Sequence, residues 1–176
     1  GYSSAASDVY KRQELNRQRY LYPLEAVGAG DSTLAKAYER DALAMIPTKS
    51  KLMPHAREVL EYLSGKYNLY ILSNGFKELQ SHKMRSSGID EYFKKVVLSD
   101  DIGILKPWSE IFHFALSTTQ SELNNSLMIG DSWENDIVGA AGVGMHQVFY
   151  NLSGRTDLPF APTYQITDLK DLFNFL

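Results

Sequence analysis

The stretch LMIGDSWEND, residues 127–136, decides the fold of this chain. Its first three apolar residues predict a short buried strand, and Gly130 with the polar residues after it predicts a tight turn into a helix. Asp131 and Asp136 lie on either side of that turn, five positions apart. Their carboxylates can converge on one hard cation through oxygen atoms, or they can simply cap the helix.

Two further polar motifs follow apolar runs elsewhere in the chain. Ser73-Asn74-Gly75 comes directly after residues 69–72, and Lys106-Pro107 comes shortly after residues 95–98. A hydroxyl followed by Gly can place its oxygen and the next backbone N–H groups around phosphate oxygens. A lysine can neutralise both a phosphoryl group and the carboxylate that attacks it. Taken singly, each motif is also typical of an ordinary turn or of a solvated lysine.

Strands and helices alternate after Pro54, which predicts a doubly wound (Rossmann-like) α/β fold with a parallel sheet. The predicted strands are residues 68–72, 95–98, 127–129, 147–150 and 164–166. The predicted helices are residues 55–67, 76–87, 109–117, 135–141 and 169–173. Ligands of such sheets bind beyond the carboxyl ends of the strands, and all three motifs fall there.

The chain divides by pattern into three parts. Residues 1–13 lack periodicity, and SAASDVYKRQ resembles translated sequencing-adapter read-through. This part is therefore interpreted as non-native, with a disordered native terminus as the alternative. Residues 14–50 have helical spacing without a strand signal, which predicts a partial helical cap. Residues 51–176 are expected to form the Rossmann-like core.

Composition excludes several classes of function. The chain has 176 residues, 44% of them hydrophobic, which is enough for one packed core. A formal net charge of −3 without a basic stripe gives no case for a nucleic-acid partner. No apolar run is long enough for a membrane span, so no membrane association is expected. Cysteine is absent, which is compatible with the cytoplasmic location that we expect.

Together the three motifs resemble those of the haloacid dehalogenase-like hydrolase superfamily. Ser73 is similar to its second motif, Lys106 to its third, and Asp131 with Asp136 to its acidic fourth. More narrowly, ELNRQRYLYPL, IPTKSKLMPHAREVLEYL, YNLYILSNGFKELQ and LMIGDSWENDI look like bacterial noncanonical pyrimidine nucleotidases. Those enzymes remove the 5′-phosphate from nucleoside monophosphates.

The resemblance implies an Mg²⁺-dependent phosphatase that acts on a small phosphorylated substrate, a nucleoside monophosphate, through an aspartyl-phosphate intermediate. Ser73 would bind the phosphoryl group, helped by the backbone of Asn74. Lys106 would stabilise charge on the nucleophile and the phosphoryl oxygens. Asp131 would bind Mg²⁺ directly, and Asp136 would bind it or orient its water and Lys106.

The family's first motif, Asp-x-Asp after an N-terminal strand, supplies the nucleophile and the general acid/base. No two aspartates of this sequence lie two positions apart. The resemblance therefore implies that the nucleophile, its strand and the first part of the cap lie upstream of Glu14, and that the chain as written is inactive. The missing strand would lie centrally, between the strands that end at Ser73 and Gly130, and would leave two unpaired edges.

Two other functions remain open from the residues alone. A metal-independent dehalogenase of the same superfamily attacks carbon, and Asp131 with Asp136 argues against it. A non-catalytic phosphate-binding or receiver-like module would need no nucleophile. Trp108 and Trp133 lie beside the two best motifs, where they could stack on a nucleobase, although packing against the helix starts is the favoured interpretation.

Overall fold

The computed structural model of the chain describes residues 17–75 and 77–176. The predictions for residues 1–13 lie outside the described residues. The described residues cluster into two compact units. One is the described part of Gly1–Ser50 together with Glu78–Ser86, and the other is Lys51–Lys77 together with Ser87–Leu176. The division into a cap over residues 14–50 and a core over residues 51–176 stays a prediction.

Five strands and a series of helices make up the described residues. The strands are β1 Leu69–Ser73, β2 Phe93–Leu98, β3 Leu127–Gly130, β4 His146–Tyr150 and β5 Tyr164–Ile166. The α-helices are α1 Tyr22–Ala26, α2 Ser32–Met45, α3 Ala56–Ser64, α4 Lys77–Ser87, α5 Ser99–Ile102, α6 Ser109–Thr119 and α7 Gly139–Gly142. The π-helical turns are Arg17–Leu21 and Trp133–Val138, and the 3₁₀ turns are Ile46–Thr48, Asp90–Tyr92, Leu123–Asn125 and Leu169–Asn174.

The first unit is built from α1, α2 and most of α4. The Asp31 carboxylate starts α2, because it accepts the backbone N–H of Thr33 at 2.7 Å. Strands are absent from the described residues of this unit, as the helical spacing predicts. Across residues 17–75 and 77–176, no helix combines the length and the apolar character that a membrane crossing requires.

The strands of the second unit form two parallel sheets, in the orders β1-β2 and β3-β4-β5. Each observed strand lies within two residues of its predicted bounds, and the α/β fold class is confirmed. Among the described strands, β1 and β3 are not paired with each other, so each lies at the edge of its sheet. This arrangement agrees with the predicted pair of unpaired edges at the strands that end at Ser73 and Gly130.

The core lies on both faces of the β3-β4-β5 sheet. Successive strand residues point to opposite faces, and Val148 and Phe149 of β4 accordingly belong to different apolar clusters. Val148 packs with Val59 and Leu63 of α3. Phe149 packs with Trp133, which follows β3. Coverage of both faces explains why residues 127–129 of β3 and 148–150 of β4 are apolar at successive positions.

Two predicted helices take other forms in the structure. The helix expected at residues 135–141 is a wide π-turn followed by α7, because the N–H groups of Asp136 and Ile137 both donate to the carbonyl of Ser132. The helix expected at residues 169–173 is a 3₁₀ turn. Patterns of apolar residues locate such segments but do not distinguish these closely related windings.

A hydrogen-bonded contact joins the start of α3 to the C-terminal 3₁₀ turn. His55 Nδ1 lies 2.7 Å from Asp168 Oδ1, which also accepts the backbone N–H of Lys170 at 3.0 Å. The carboxylate of Asp171 accepts the N–H of Asp168 in return. The Lys170 N–H, and after it the His55 ring, hold the pKa of Asp168 below its ordinary value although burial opposes them.

Acidification should weaken this contact, because it depends on the charged form of Asp168. A lowered folded-state pKa contributes stability that is present above the ordinary pKa and lost as the pH falls through the lowered value. We expect the free energy of unfolding, measured by urea denaturation, to fall more steeply below about pH 4 in the wild type than in Asp168→Asn. Asp90→Asn removes an exposed carboxylate outside this contact and should keep the wild-type slope. Equal acid slopes for wild type and Asp168→Asn would contradict this prediction.

Candidate active site

The side chain of Lys106 lies between the ends of β1 and β3. Its Nζ donates to the carbonyl oxygen of Leu72 in β1 at 2.8 Å and to Asp136 Oδ1 at 2.6 Å. The two charged side chains are only 10% and 6% exposed. A buried charge is tolerated where it is paired and hydrogen-bonded, and this lysine has both kinds of partner. Lys106 therefore joins the end of β1, where Ser73 and Asn74 lie, to Asp136 after β3.

Asn74 holds the backbone of Lys106 in place. Its amide Nδ2 donates to the Lys106 carbonyl at 3.1 Å, and its Oδ1 accepts the Lys106 N–H at 2.8 Å. Beside it, Ser73 Oγ accepts the N–H of Gly75 at 3.0 Å. The sequence analysis assigned Asn74 only a backbone role and missed this side-chain pair. The residue type did carry a signal for this pair. An asparagine amide has both a donor and an acceptor, which can bond to the C=O and the N–H of one residue.

Residues 131–136 form the turn that follows β3, called the acidic turn below. It is built around the buried carboxylate of Asp136. Its Oδ2 accepts the N–H of Ser132 at 3.0 Å, while Oδ1 receives the lysine. Ser132 Oγ in turn accepts from the backbone and side chain of Asn135, at 3.3 and 3.0 Å. Both oxygens of Asp136 are therefore engaged by protein donors, and its predicted role of binding Mg²⁺, or of orienting its water and Lys106, stays a prediction.

Gly130 is required by the close approach of Asp136. A Cβ atom built on Gly130 would lie well inside contact distance of the Asp136 carboxylate. Gly139, nine residues later, is also required by a close approach, because its Cβ would lie 2.6 Å from the Phe112 ring and 3.0 Å from the Cα of Pro107. The absence of a side chain at Gly139 lets its backbone approach Pro107, the neighbour of Lys106.

Asp131 offers the carboxylate that suits a cation. It is exposed, directly follows β3 and has no hydrogen bond or ion pair to any described residue. Within the described residues, no three carboxylate or imidazole side chains group together as a metal site. Mg²⁺ is often held by only one or two carboxylates and keeps several waters, so the oxygen of Asp131 fits this ion.

Glu134, between the two aspartates, is engaged elsewhere. Arg155 Nη1 donates to Glu134 Oε1 at 2.7 Å. This hydrogen bond holds the pKa of Glu134 below its ordinary value and raises the pKa of Arg155. The lowered and the raised pKa widen the pH range over which both groups of the pair are charged. Sequence analysis missed Arg155, because nothing in the chain order places it beside residue 134.

The two tryptophans differ in their surroundings. Trp133 is 3% exposed and packs edge-to-face on Phe149 with 5.2 Å between ring centroids, as the packing interpretation predicts. Trp108 is 66% exposed, so the packing interpretation is wrong for this residue. Hydrogen bonds of Lys106 join it to Asn74 and to Asp136, whereas Ser73 and Asp131 adjoin this group along the chain. The chemical role of each residue stays a prediction.

Gly130→Ala should damage the site and destabilise the protein. The added methyl group must displace the Asp136 carboxylate, and overpacking of this kind costs about 1–3 kcal/mol of unfolding free energy. Gly142→Ala is the matched control, since a Cβ there meets no atom within 4 Å and the residue is helical. Its stability should equal or slightly exceed that of the wild type. Similar chemical denaturation midpoints for the two variants would show that Gly130 is not needed for this approach.

Known proteins similar to this chain include bacterial hydrolases. The HAD-hydrolase YfnB of Bacillus subtilis is 29% identical over 169 residues, which cover 94% of this chain and 70% of YfnB. The pyrimidine 5′-nucleotidase YjjG of Escherichia coli is 31% identical over 126 residues, which cover 70% of this chain and 56% of YjjG. The chain thus spans between about half and three quarters of the length of these relatives.

Solved structures give the same result. The magnesium-bound crystal structure of YfnB superimposes with a TM-score of 0.83 at 28% identity, over 94% of this chain and 72% of YfnB. A HAD phosphatase from Thermococcus onnurineus superimposes with a TM-score of 0.72 at 28% identity, over 90% of this chain and 78% of that protein. The sequence model of the haloacid dehalogenase-like hydrolases matches residues 3–144. The chain therefore belongs to the haloacid dehalogenase-like hydrolase family.

Proposed function

We propose that the protein is an Mg²⁺-dependent phosphomonoester hydrolase that acts on nucleoside 5′-monophosphates. The observation that carries the proposal is Lys106, whose ammonium group lies at the carboxyl end of β1 and is paired with the carboxylate of the acidic turn. The pyrimidine 5′-nucleotidases YjjG and PynA are among the similar proteins and support the nucleotide. Glyceraldehyde 3-phosphate phosphatases are also among them, which makes the substrate the first point to test.

Each residue of the site has a distinct part in this proposal. Ser73 and the N–H of Asn74 bind phosphoryl oxygens, and Lys106 offsets the negative charge that grows on them during transfer. Asp131 holds the cation, and Asp136 keeps the lysine in position. When bound, Mg²⁺ supplies positive charge that polarises the phosphoryl group.

The attacking group in this proposal is an aspartate carboxylate, which forms an aspartyl-phosphate that water then hydrolyses. The phosphoryl–ester oxygen bond breaks as the new bond to the carboxylate forms, and the leaving alkoxide takes a proton from an acid. Because the sequence has no pair of aspartates two positions apart, we place nucleophile and acid upstream of Glu14. The matched region covers 70% of YfnB and 56% of YjjG, so both relatives are longer than the part that they share with this chain.

The 176-residue chain should therefore release no phosphate from a panel of nucleoside monophosphates with Mg²⁺. The protein expressed from the complete coding sequence, including whatever precedes Glu14, should release it, and the release should stop with EDTA and resume with added Mg²⁺. Phosphate release by the purified 176-residue chain would contradict the placement of the nucleophile. Activity of the complete protein in EDTA, with halide released from a haloacid, would favour the metal-independent dehalogenase.

Lys106→Met and Asp131→Asn in the complete protein should each lower kcat/KM for the best nucleotide by about 100-fold or more, the usual loss when one transition-state contact is removed. Lys94→Met and Asp90→Asn remove exposed charges of the same kinds and should retain wild-type activity. Far-ultraviolet circular dichroism checks that every variant is folded. Undiminished activity in Lys106→Met or Asp131→Asn would show that the substituted residue has no role in catalysis.

A complete protein that binds phosphate without releasing it from any ester would be the non-catalytic module instead. The sequence observation that favours this alternative is the missing Asp-x-Asp pair. Equilibrium dialysis with inorganic phosphate, together with the release assay, separates the two functions. The hydrolase requires turnover of an ester, whereas the module requires saturable phosphate binding alone.

A further inference from the structure

The segment after β4 folds back on the acidic turn. Asn151, which is buried, accepts the backbone N–H of Arg155 with Oδ1 at 2.9 Å and donates Nδ2 to the Arg155 carbonyl at 2.8 Å. The N–H of Asn151 is itself fixed by the carbonyl of Ile166 in β5. Asn151 thus connects the backbone of Arg155 to β5, and this connection fixes the position from which the Arg155 side chain extends.

The guanidinium group of Arg155 contacts two successive residues of the turn. It donates to Glu134 and lies over the indole ring of Trp133, with 5.7 Å between its central carbon and the ring centroid. Its Nε also donates to Asp157 Oδ1 at 3.2 Å. A planar guanidinium can stack on a ring while its edge donates hydrogen bonds, which a lysine ammonium cannot do in the same way.

Trp133 links the contact with Arg155 to the acidic turn of the candidate site. Its ring also packs on Phe149 and, with 4.9 Å between centroids, on Phe160, so it is enclosed on several sides. Trp133 begins the π-turn whose next positions include Glu134 and the buried Asp136. Asp131 lies two positions before Trp133. Fixing Trp133 and Glu134 therefore limits how far the carboxylates on either side of them, Asp131 and Asp136, can move.

We propose that Arg155 is a positioning residue for cation binding. It holds the turn so that Asp131 keeps its exposed orientation, and it occupies Glu134 so that this third carboxylate does not compete for the cation. The inference rests on the proposed Mg²⁺-dependent function. Partners that orient metal ligands typically change metal affinity by about 10–100-fold when they are altered, which sets the size of the expected effect.

The first experiment uses fluorescence and needs no activity. The sequence has two tryptophans, so in the 176-residue chain with Trp108→Phe all indole emission comes from Trp133. Adding Arg155→Lys should increase acrylamide quenching of this emission, because the stacked guanidinium no longer covers the ring. Arg40→Lys is the control, since Arg40 forms an exposed ion pair with Asp41 and should leave quenching unchanged.

The second experiment measures phosphate release by the complete protein as a function of Mg²⁺. Arg155→Lys and Arg155→Met should raise the half-saturating Mg²⁺ concentration by about 10-fold or more, with a much smaller change of kcat at saturating Mg²⁺. Arg40→Lys should change neither quantity.

The outcomes separate the inference from the proposed function. Unchanged quenching, or an unchanged Mg²⁺ requirement in an active enzyme, overturns the role of Arg155 and leaves the function standing. A loss of kcat without a change in the Mg²⁺ requirement also overturns it. If the complete wild-type protein releases no phosphate from any ester, the proposed function fails, and the cation role of Arg155 fails with it.

Discussion

The arrangement of the site depends on the two hydrogen bonds that the ammonium group of Lys106 donates. This group is buried between a backbone carbonyl at the end of β1 and a carboxylate that follows β3, strands that belong to separate sheets in the described residues. Removing one partner of a buried ion pair costs about 3–5 kcal/mol, whereas an exposed pair contributes about 0–1 kcal/mol. Lys106 and Asp136 therefore constrain each other far more than an exposed pair such as Arg40 and Asp41 does.

This ion pair is possible only because the backbone approaches closely on the acidic side. Gly130 leaves room for the Asp136 carboxylate, and Gly139 lets the following helix contact Pro107, the neighbour of Lys106. Gly130 thus acts on the carboxylate of the ion pair, and Gly139 acts on the segment that carries the lysine. Asn74 completes the arrangement by fixing the peptide of Lys106, so the lysine is positioned at both its backbone and its charged end.

The sequence predicts the strands well, because each is a short apolar run whose burial depends on local composition. β1, β3 and β5 fall almost where the pattern places them. The π-turn after β3 is not predictable in this way, since its width follows from two N–H groups that share one carbonyl of Ser132. Apolar spacing gives no information on whether one or two N–H groups will share a carbonyl, so it does not separate a π-turn from an α-helix.

The candidate site is predictable to the extent that its residues follow strand ends. Ser73, Lys106 and Asp136 are placed by that rule, and the structure links the last two directly. The side-chain bonds of Asn74 to Lys106 and the position of Arg155 join residues 32 and 21 positions apart, at distances that periodicity cannot resolve. Trp133 is buried and Trp108 is exposed, and this difference likewise depends on tertiary packing that the sequence pattern does not reveal.

The acidic turn concentrates three carboxylates within six residues and gives each a different electrostatic environment. Asp136 is neutralised by a buried ammonium group, and Glu134 by a guanidinium group at the surface. Asp131 alone has no cationic partner among the described residues. Like charges at this spacing repel, and the cations of Lys106 and Arg155 offset two of the three negative charges. Under the proposed function, a divalent cation at Asp131 would supply the remaining positive charge of this pattern.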